Sequence, residues 1–265
     1  MSDWEIFALR YATRAARTRA DSFIFDDDHA APHPMDYFLW VLRREHEVVL
    51  VDTGYEADEG ARRDRPILLD PREALRPLNI RAEDVGRVIV THLHYDHAGG
   101  LHLFPNATLH MQAAEMAYAT GPCMCHATLR MPYTGDHICE AVRRLFAGQL
   151  VFHDGDAEVA EGVTVHRIGG HSRGLQCVRV RTQSGWMVLA SDAAHYYENL
   201  LRQKPFPIVV DLEDMLKGFA RLETLASERR LILPGHDPRV TRLFPSVLAP
   251  HVFRLDGGPE GAIET

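Results

Sequence analysis

The segment Val88–Gly100, VIVTHLHYDHAGG, places three histidines and one aspartate within six positions, directly after a β-branched run. The opening VIV predicts a buried strand. Residues two apart in extended backbone project to the same side, so His92 and His94 can direct two imidazoles at one point. Asp96 and His97 follow where the chain must turn, and the closing glycines permit a tight exit. Imidazole nitrogen and carboxylate oxygen are ligands preferred by zinc and its first-row neighbours, so the segment predicts a metal site.

Further ligands are expected from elsewhere in the chain. Four ligands from one short segment cannot easily surround one ion, because the chain cannot wrap a tetrahedron so tightly, and they divide more naturally between two ions. Three later segments share one form, a strand that runs into a small-residue turn with a ligand residue. They are HRIGGHSRG with His171, MVLASDAAH with Asp192 and LILPGHDP with His236. Such a pattern is expected when ligands converge on one edge of a sheet.

Composition indicates an ordinary globular protein. The chain has 265 residues, of which 46% are hydrophobic and 25% charged, enough apolar mass for a large core. The formal net charge of −8 argues against nucleic acid or an anionic membrane as a partner, because both need a basic face. No apolar run reaches the ~18 residues of a membrane span. The first residues lack the apolar core of a secretory signal, so a cytoplasmic location is expected.

The pattern of apolar residues predicts strands with helices between and after them. Residues 37–41 and 48–51 predict a hairpin, GRVIVTH a third strand, and GVTVHRI with LQCVRVRTQSGWMVLAS three more around a turn at 183–185. One helix is predicted from N-cap Asp211, with an apolar stripe at Leu212, Met215, Leu216, Phe219 and Leu222. GDHICEAVRRLF predicts a second helix. Residues 1–265 are therefore expected to form a single layered α/β domain.

In these features the sequence resembles the metallo-β-lactamase superfamily. HLHYDH is similar to the family's HxHxDH signature, and the three later ligand residues match its downstream ligands in order and local context. VVLVDTG resembles the family's early strand, which ends in an aspartate that supports a ligand, here Asp52. The resemblance runs from about residue 37 to 240. It implies an αβ/βα four-layer sandwich, with two sheets face to face, helices outside, and a metal site at one edge.

The resemblance also implies a dinuclear centre. It places His92, His94 and His171 at the first metal, Asp96, His97 and His236 at the second, and Asp192 between the two. Two divalent ions per chain are expected, with zinc first and iron, manganese or cobalt open. Two such cations lower the pKa of a bridging water and leave hydroxide available at neutral pH.

Within the superfamily, ASDAAHYYENL and LPGHDP resemble segments of the quorum-quenching lactonases, the N-acyl homoserine lactone hydrolases. The implied reaction is attack of a metal-bridging hydroxide on a small lactone, with Asp96 as proton carrier. Hydrolysis of another ester, a thioester (as in glyoxalase II) or a cyclic amide on the same site is the alternative. A non-enzymatic metal binder is disfavoured, because no ligand of the set is lost.

One position departs from the lactonase pattern. Well-known members place a tyrosine three residues after the bridging aspartate, whereas this chain has His195, followed by Tyr196 and Tyr197. We expect His195 or a neighbouring tyrosine to donate a hydrogen bond to the substrate carbonyl, so the candidate catalytic residues are Asp96, His195 and Tyr196. Related lactonases are often dimers, and the irregular segment with Phe23, Phe25, Met35 and Tyr37 could serve a homodimer interface or roof a pocket.

Overall fold

Two β-sheets packed face to face form the centre of the protein. The computed structural model describes residues 2–26 and 28–263. In chain order, the strands are β1 (Glu5–Arg14), β2 (Met35–Arg44), β3 (Glu47–Val51), β4 (Arg87–Ile89), β5 (Thr108–Gln112), β6 (Leu150–His153), β7 (Ala157–Ala160), β8 (Val163–Arg167), β9 (Gln176–Thr182), β10 (Gly185–Ser191), β11 (Ile232–Pro234) and β12 (Val252–Arg254). One sheet has the order β12-β1-β2-β3-β4-β5-β6 and the other β11-β10-β9-β8-β7.

Helices cover the outer faces of both sheets. They are α1 (Ala57–Arg62), α2 (Pro71–Leu75), α3 (Tyr95–Ala98), α4 (Ala113–Ala119), α5 (Ala127–Arg130), α6 (Gly135–Phe146), α7 (Tyr197–Leu201), α8 (Leu212–Leu225) and α9 (Val240–Leu243). Helix α8 begins as predicted, because the Asp211 carboxylate accepts a hydrogen bond from the Asp214 amide at 3.1 Å. In the described part of the chain, no helix combines the length and apolarity needed to cross a membrane.

Strand direction brings several strand ends to one edge of each sheet. Strands β3, β4, β5 and β6 run parallel in the first sheet. In the second sheet, β10 and β11 are parallel, and β8 has the same direction because both β8 and β10 are antiparallel to β9. The carboxyl ends of parallel strands meet at the same edge, where loops can carry converging side chains.

Successive side chains of each strand point to opposite faces of its sheet, and the buried apolar side chains therefore form separate layers. Residues facing the opposite sheet form the central layer, including Ile6, Trp40, Val51, Val165, Val180 and Leu189. The other face of the first sheet packs on α2, α3, α4 and α6, and the other face of the second packs on α8. Helix, sheet, sheet and helix layers thus follow one another, which confirms the predicted αβ/βα sandwich.

The structure corrects two local predictions. The buried face of α8 consists of Met215, Gly218, Phe219 and Leu222, whereas Leu212 and Leu216 are 41% and 39% exposed. Strand β1 was not predicted, since EIFALRYATR is apolar on both faces and lacks the alternation of a half-buried strand. It lies between β12 and β2, where both of its faces are covered.

We expect Phe219→Ala to lower the free energy of unfolding by about 3–5 kcal/mol, because it leaves a cavity where a fully buried ring packed beneath the second sheet. Leu216→Ala on the same helix is the matched control, with an expected change below about 1 kcal/mol. Urea denaturation of both variants measures the difference. Equal losses would mean that α8 does not bury the face described.

Candidate metal centre

The seven side chains predicted as ligands lie together where strand ends of the two sheets meet. Short segments that follow strands β4, β8, β10 and β11 carry them, with Asp96 and His97 on the one-turn helix α3. They form two groups, and within each group the ligand atoms lie within 4.8 Å of one another. The first group is His92, His94, His171 and Asp192; the second is Asp96, His97 and His236.

The Asp192 carboxylate spans the two groups. Its Oδ2 lies 3.1 Å from His171 Nε2. Its Oδ1 lies 3.2 Å from His97 Nε2 and 3.0 Å from His236 Nε2. Each carboxylate oxygen therefore faces a different group, which is the arrangement that a bridging ligand requires.

Several buried polar atoms in the cluster fit a cation. His92 Nε2, His97 Nε2 and Asp192 Oδ1 are buried without a hydrogen-bond partner in the described chain. His94 Nδ1 and His171 Nε2 face each other at 2.9 Å. Burial lowers the pKa of His92 and His94 well below the ordinary range, so these imidazoles are neutral, as metal ligation requires. Orphaned buried acceptors are costly, and divalent ions would satisfy them.

Hydrogen bonds at Nδ1 orient three of the imidazoles. The acceptors are the Asp52 carboxylate for His97 (2.7 Å), the Ile208 carbonyl for His171 (2.7 Å) and the Asp36 carbonyl for His236 (2.9 Å). Each bond fixes the tautomer and leaves Nε2 directed into the cluster. Asp52 therefore contacts His97, a predicted ligand. This is the supporting contact that its position in VVLVDTG suggested.

Asp52 also connects the strand ends of the two sheets. It accepts hydrogen bonds from the Thr91 amide at 2.7 Å and the Thr91 hydroxyl at 2.8 Å. Ser191, at the end of β10 in the opposite sheet, donates to the same hydroxyl at 2.8 Å. Asp52 and Ser191 both adopt positive φ, at 61° and 48°, which is costly for residues with a side chain. Strained backbone therefore occurs directly at the ligand cluster.

Charge in the cluster is balanced between carboxylates and imidazoles. Burial alone would raise the pKa of the Asp192 carboxyl, but four surrounding histidines hold it well below its usual range. Burial would likewise lower the pKa of His97, but the carboxylates of Asp192, Asp52 and Asp96 raise it well above the ordinary value. A metal ion held by Asp96, His97 and His236 would take the place of that proton.

Glycines allow the ligand segments to approach closely. Gly99 and Gly100 have φ angles of −70° and −106°, which any residue can adopt, so glycine is not needed here for a left-handed backbone conformation. A Cβ on Gly100 would lie 2.5 Å from the Thr53 carbonyl oxygen. A Cβ on Gly235, just before His236, would lie 2.7 Å from the Ser191 carbonyl oxygen. Gly99 and Gly100 were expected to permit a tight turn. In the structure, Gly100 and Gly235 instead allow two backbone segments to lie in close contact.

Sequence reasoning missed Glu115, a fully buried residue of α4 that holds two ligand segments together. Its Oε1 accepts from the Leu93 amide at 3.0 Å, between His92 and His94. Its Oε2 accepts from the Ser172 hydroxyl at 2.7 Å and the Gly174 amide at 3.0 Å, beside the third ligand of the first group. A single glutamate within AAEMAYA carries no sequence signal for this role.

A cavity of about 290 Å³ opens onto the cluster. Its wall includes His94, Asp96, His171, Asp192 and His236 from the ligand set. Tyr37 and Tyr95 also line this wall, and their hydroxyl oxygens lie 3.3 Å apart. We call this space the site cavity.

His195 lies in the wall of the site cavity, whereas Tyr196 is not among its described lining residues. His195 Nε2 donates to Asp192 Oδ2 at 2.8 Å, and its ring stacks on Phe206. Burial lowers the pKa of His195 to about 3, so the ring is neutral near pH 7. The Tyr196 hydroxyl instead donates to the Pro34 carbonyl at 3.3 Å.

Part of the early segment predicted to be irregular roofs the site cavity. Met35 and Tyr37, which the structure places in β2 and not in an irregular segment, line it, and Phe23 is buried against Tyr196. Phe25 instead points outward and is 90% exposed. Asp27, within the same segment, lies outside the described residues.

Comparisons with known proteins agree with this geometry. The profile of the family described as Metallo-beta-lactamase superfamily matches residues 36–240, which include all seven ligand positions. The N-acyl homoserine lactonase AiiA of Bacillus thuringiensis subsp. kurstaki is 30% identical over 230 residues, covering 80% of this chain and 86% of the relative. The N-acyl homoserine lactonase of Bacillus cereus is 29% identical over 216 residues, covering 76% and 80%. A solved quorum-quenching N-acyl homoserine lactone lactonase superposes with a TM-score of 0.71 at 25% identity, covering 90% of this chain and 94% of that one.

We expect Glu115→Ala to lower the free energy of unfolding by about 3 kcal/mol or more, because it leaves several buried donors without an acceptor. Affinity for zinc should fall as well, since two ligand segments lose their common anchor. Glu213→Ala, at an exposed position of α8, is the control and should change stability by less than about 0.5 kcal/mol. Urea denaturation and competition with a zinc chelator measure the two effects. A wild-type free energy of unfolding and wild-type zinc affinity in Glu115→Ala would contradict this positioning role.

Proposed function

Because this chain belongs to the metallo-β-lactamase superfamily, we propose that it is a metal-dependent hydrolase that opens the ring of a small lactone, an N-acyl homoserine lactone or a related compound. The two curated relatives above, by name, act on N-acyl homoserine lactones. The observation that carries the proposal is the Asp192 carboxylate, whose two oxygens face two separate groups of buried ligands.

The ligand set fits two divalent ions, and zinc suits its histidines and carboxylates. His92, His94 and His171 would hold one ion, Asp96, His97 and His236 the other, with Asp192 shared. Two bound ions would supply an activated water at neutral pH and polarise the substrate carbonyl. Seven ligands exceed what one tetrahedral site uses, which supports a pair of ions over a single one.

Residues in the cavity wall supply the remaining functions. Asp96 presents its carboxylate to the cavity from α3, where it can accept a proton and return it to the leaving ring oxygen. We assign the hydrogen bond to the substrate carbonyl to His195, which lines the cavity beside Asp192; because its neutral ring has one N–H, that group would move from Asp192 Oδ2 to the carbonyl when substrate binds. The placement of the Tyr196 hydroxyl at the Pro34 carbonyl favours a packing role for that residue.

An apolar recess supports a substrate with an acyl substituent. Next to His94 and His171, a cavity of about 80 Å³ is lined by further side chains that are mainly apolar, among them Leu129, Val209 and Val210. A short hydrocarbon chain can enter this recess while the carbonyl lies at the ligand cluster. Esters, thioesters and cyclic amides with a similar substituent remain the alternative substrates.

Metal-replete protein should open N-hexanoyl-homoserine lactone, measured as acid released at constant pH, and should contain about two metal equivalents per chain. Asp192→Ala should abolish hydrolysis and reduce bound metal, because both groups lose their shared carboxylate. Asp154→Ala, an exposed position, is the matched control and should behave as wild type. Near-normal hydrolysis by folded Asp192→Ala, or about one equivalent in the wild type, contradicts the dinuclear assignment. Faster cleavage of a matched thioester or open-chain ester would favour the alternative.

His195→Ala should lower kcat for lactones by about 10²-fold while metal content is retained, because the oxyanion loses one donor. Tyr196→Phe should have a smaller effect, since the hydroxyl it removes bonds to the Pro34 carbonyl. Steady-state kinetics with elemental analysis separate the outcomes. Loss of metal in His195→Ala would make it a residue that holds Asp192 in place, and a larger effect of Tyr196→Phe would return the donor role to the tyrosine.

A further inference from the structure

Three arginines line the site cavity together with the ligand residues. They are Arg14 at the end of β1, Arg17 just after it, and Arg65 beyond α1, and we call them the arginine cluster. Apart from the ligand carboxylates, Asp21 is the acidic residue in the described lining. The three arginines balance the three aspartates of the described lining, Asp21, Asp96 and Asp192, so divalent ions at the ligand cluster would leave the cavity positive in a chain whose formal net charge is −8.

Arg17 is only 7% exposed and is held by neutral partners. Its Nε donates to the Ser22 hydroxyl at 3.2 Å, and one terminal nitrogen donates to the Asp21 carbonyl. The Asp21 carboxylate accepts instead from the amide and hydroxyl of Thr18, at 2.9 and 3.1 Å. The other terminal nitrogen of Arg17 has no hydrogen-bond partner in the described chain.

Arg65 contacts Tyr95, which precedes the predicted ligand Asp96, and forms no ion pair within 4.0 Å with a carboxylate of the described residues. It donates to the Tyr95 hydroxyl, and its guanidinium carbon lies 5.1 Å from the centre of that ring, one residue before Asp96. Its Nε is buried without a hydrogen-bond partner in the described chain. The Arg14 side chain takes part in neither a hydrogen bond nor an ion pair within 4.0 Å among the described residues, and the Asp21 carboxylate acts on it at longer range.

Guanidinium groups that lack a hydrogen-bonded carboxylate are costly in a partly buried cavity, and a bound anion offsets that cost. The planar guanidinium of arginine matches a carboxylate, to which it can donate two parallel hydrogen bonds. A pair of divalent ions at the ligand cluster would add further positive charge to the same cavity. An anionic substrate would therefore be favoured over a neutral one of the same shape.

We propose that the natural substrate carries a carboxylate in addition to its scissile carbonyl, and that the arginine cluster binds it. This inference rests on the proposed lactonase function and narrows it from neutral acyl homoserine lactones to acidic lactones. The scissile carbonyl lies at Asp96 and His236, and the carboxylate lies toward Arg65 and Arg14.

Two matched pairs of lactones test the inference. The first is 5-oxotetrahydrofuran-2-carboxylate and its carboxamide; the second is homoserine lactone acylated with adipate or with its mono-amide. The wild type should prefer the acid by about tenfold or more in kcat/KM in at least one pair, because a charge-assisted hydrogen bond is lost with the amide. Arg65→Gln and Arg14→Gln should reduce this ratio toward one, because kcat/KM for the acid falls more than kcat/KM for the amide.

Arg76→Gln is the matched control, since it removes one arginine from an exposed position. It should leave the preference unchanged. Equal kcat/KM for acid and amide in both pairs, or a preference that survives in Arg65→Gln and Arg14→Gln, overturns the inference. Thermal melting of each variant verifies that the substitution leaves the protein folded.

Failure of the lactonase function is distinguishable from failure of this inference. If no lactone is opened, calorimetric titration of metal-loaded protein with glutarate and with glutaramate tests the arginine cluster directly. Glutarate should bind about tenfold more tightly than glutaramate to the wild type and to Arg76→Gln, and the difference should vanish in Arg65→Gln. Equal affinities of the wild type for the two compounds overturn the carboxylate site.

Discussion

The buried carboxylate of Asp192 is the constraint on which the rest of the site depends. Two groups of imidazoles and one further carboxylate approach it from opposite sides, and its two oxygens separate them. Such a concentration of buried polar groups is unfavourable unless each is paired or bound to a cation. The surrounding structure therefore has to hold these groups in place, and much of the fold near the sheet edge serves that purpose.

Buried hydrogen bonds between the two sheets provide this support. The Thr91 hydroxyl lies between Asp52 of the first sheet and Ser191 of the second. Glu115 fixes the segment after β4 to the segment after β8. These contacts join the halves of the sandwich at the edge where the ligands lie. The relative placement of the sheets and the geometry of the site are consequently set by the same residues.

The ligand set and the layered fold could be predicted because both leave local signals. Each predicted ligand segment follows a short apolar run, and HLHYDH places four of the predicted ligands within six positions. Glu115 and the arginine cluster could not be predicted, since their partners are distant in sequence and their own segments resemble ordinary helix or strand ends. The direction of Tyr196 was equally hidden, because only the fold shows that its hydroxyl meets the Pro34 carbonyl. Strand β1 lacked alternation because it is covered on both faces.

The pairing of β1 with β12 has a consequence for synthesis of the protein. Phe7 lies opposite Arg254, so the first sheet lacks its edge strand β12 until residues about 250 positions further along the chain have left the ribosome. The last predicted ligand, His236, emerges 144 residues after the first, His92, and until then the nascent chain holds an incomplete set of these side chains. Contacts of such sequence separation slow folding, because the chain must close a long loop before gaining them. The predicted ligands are therefore brought together as one set only after β11 and His236 have been synthesised.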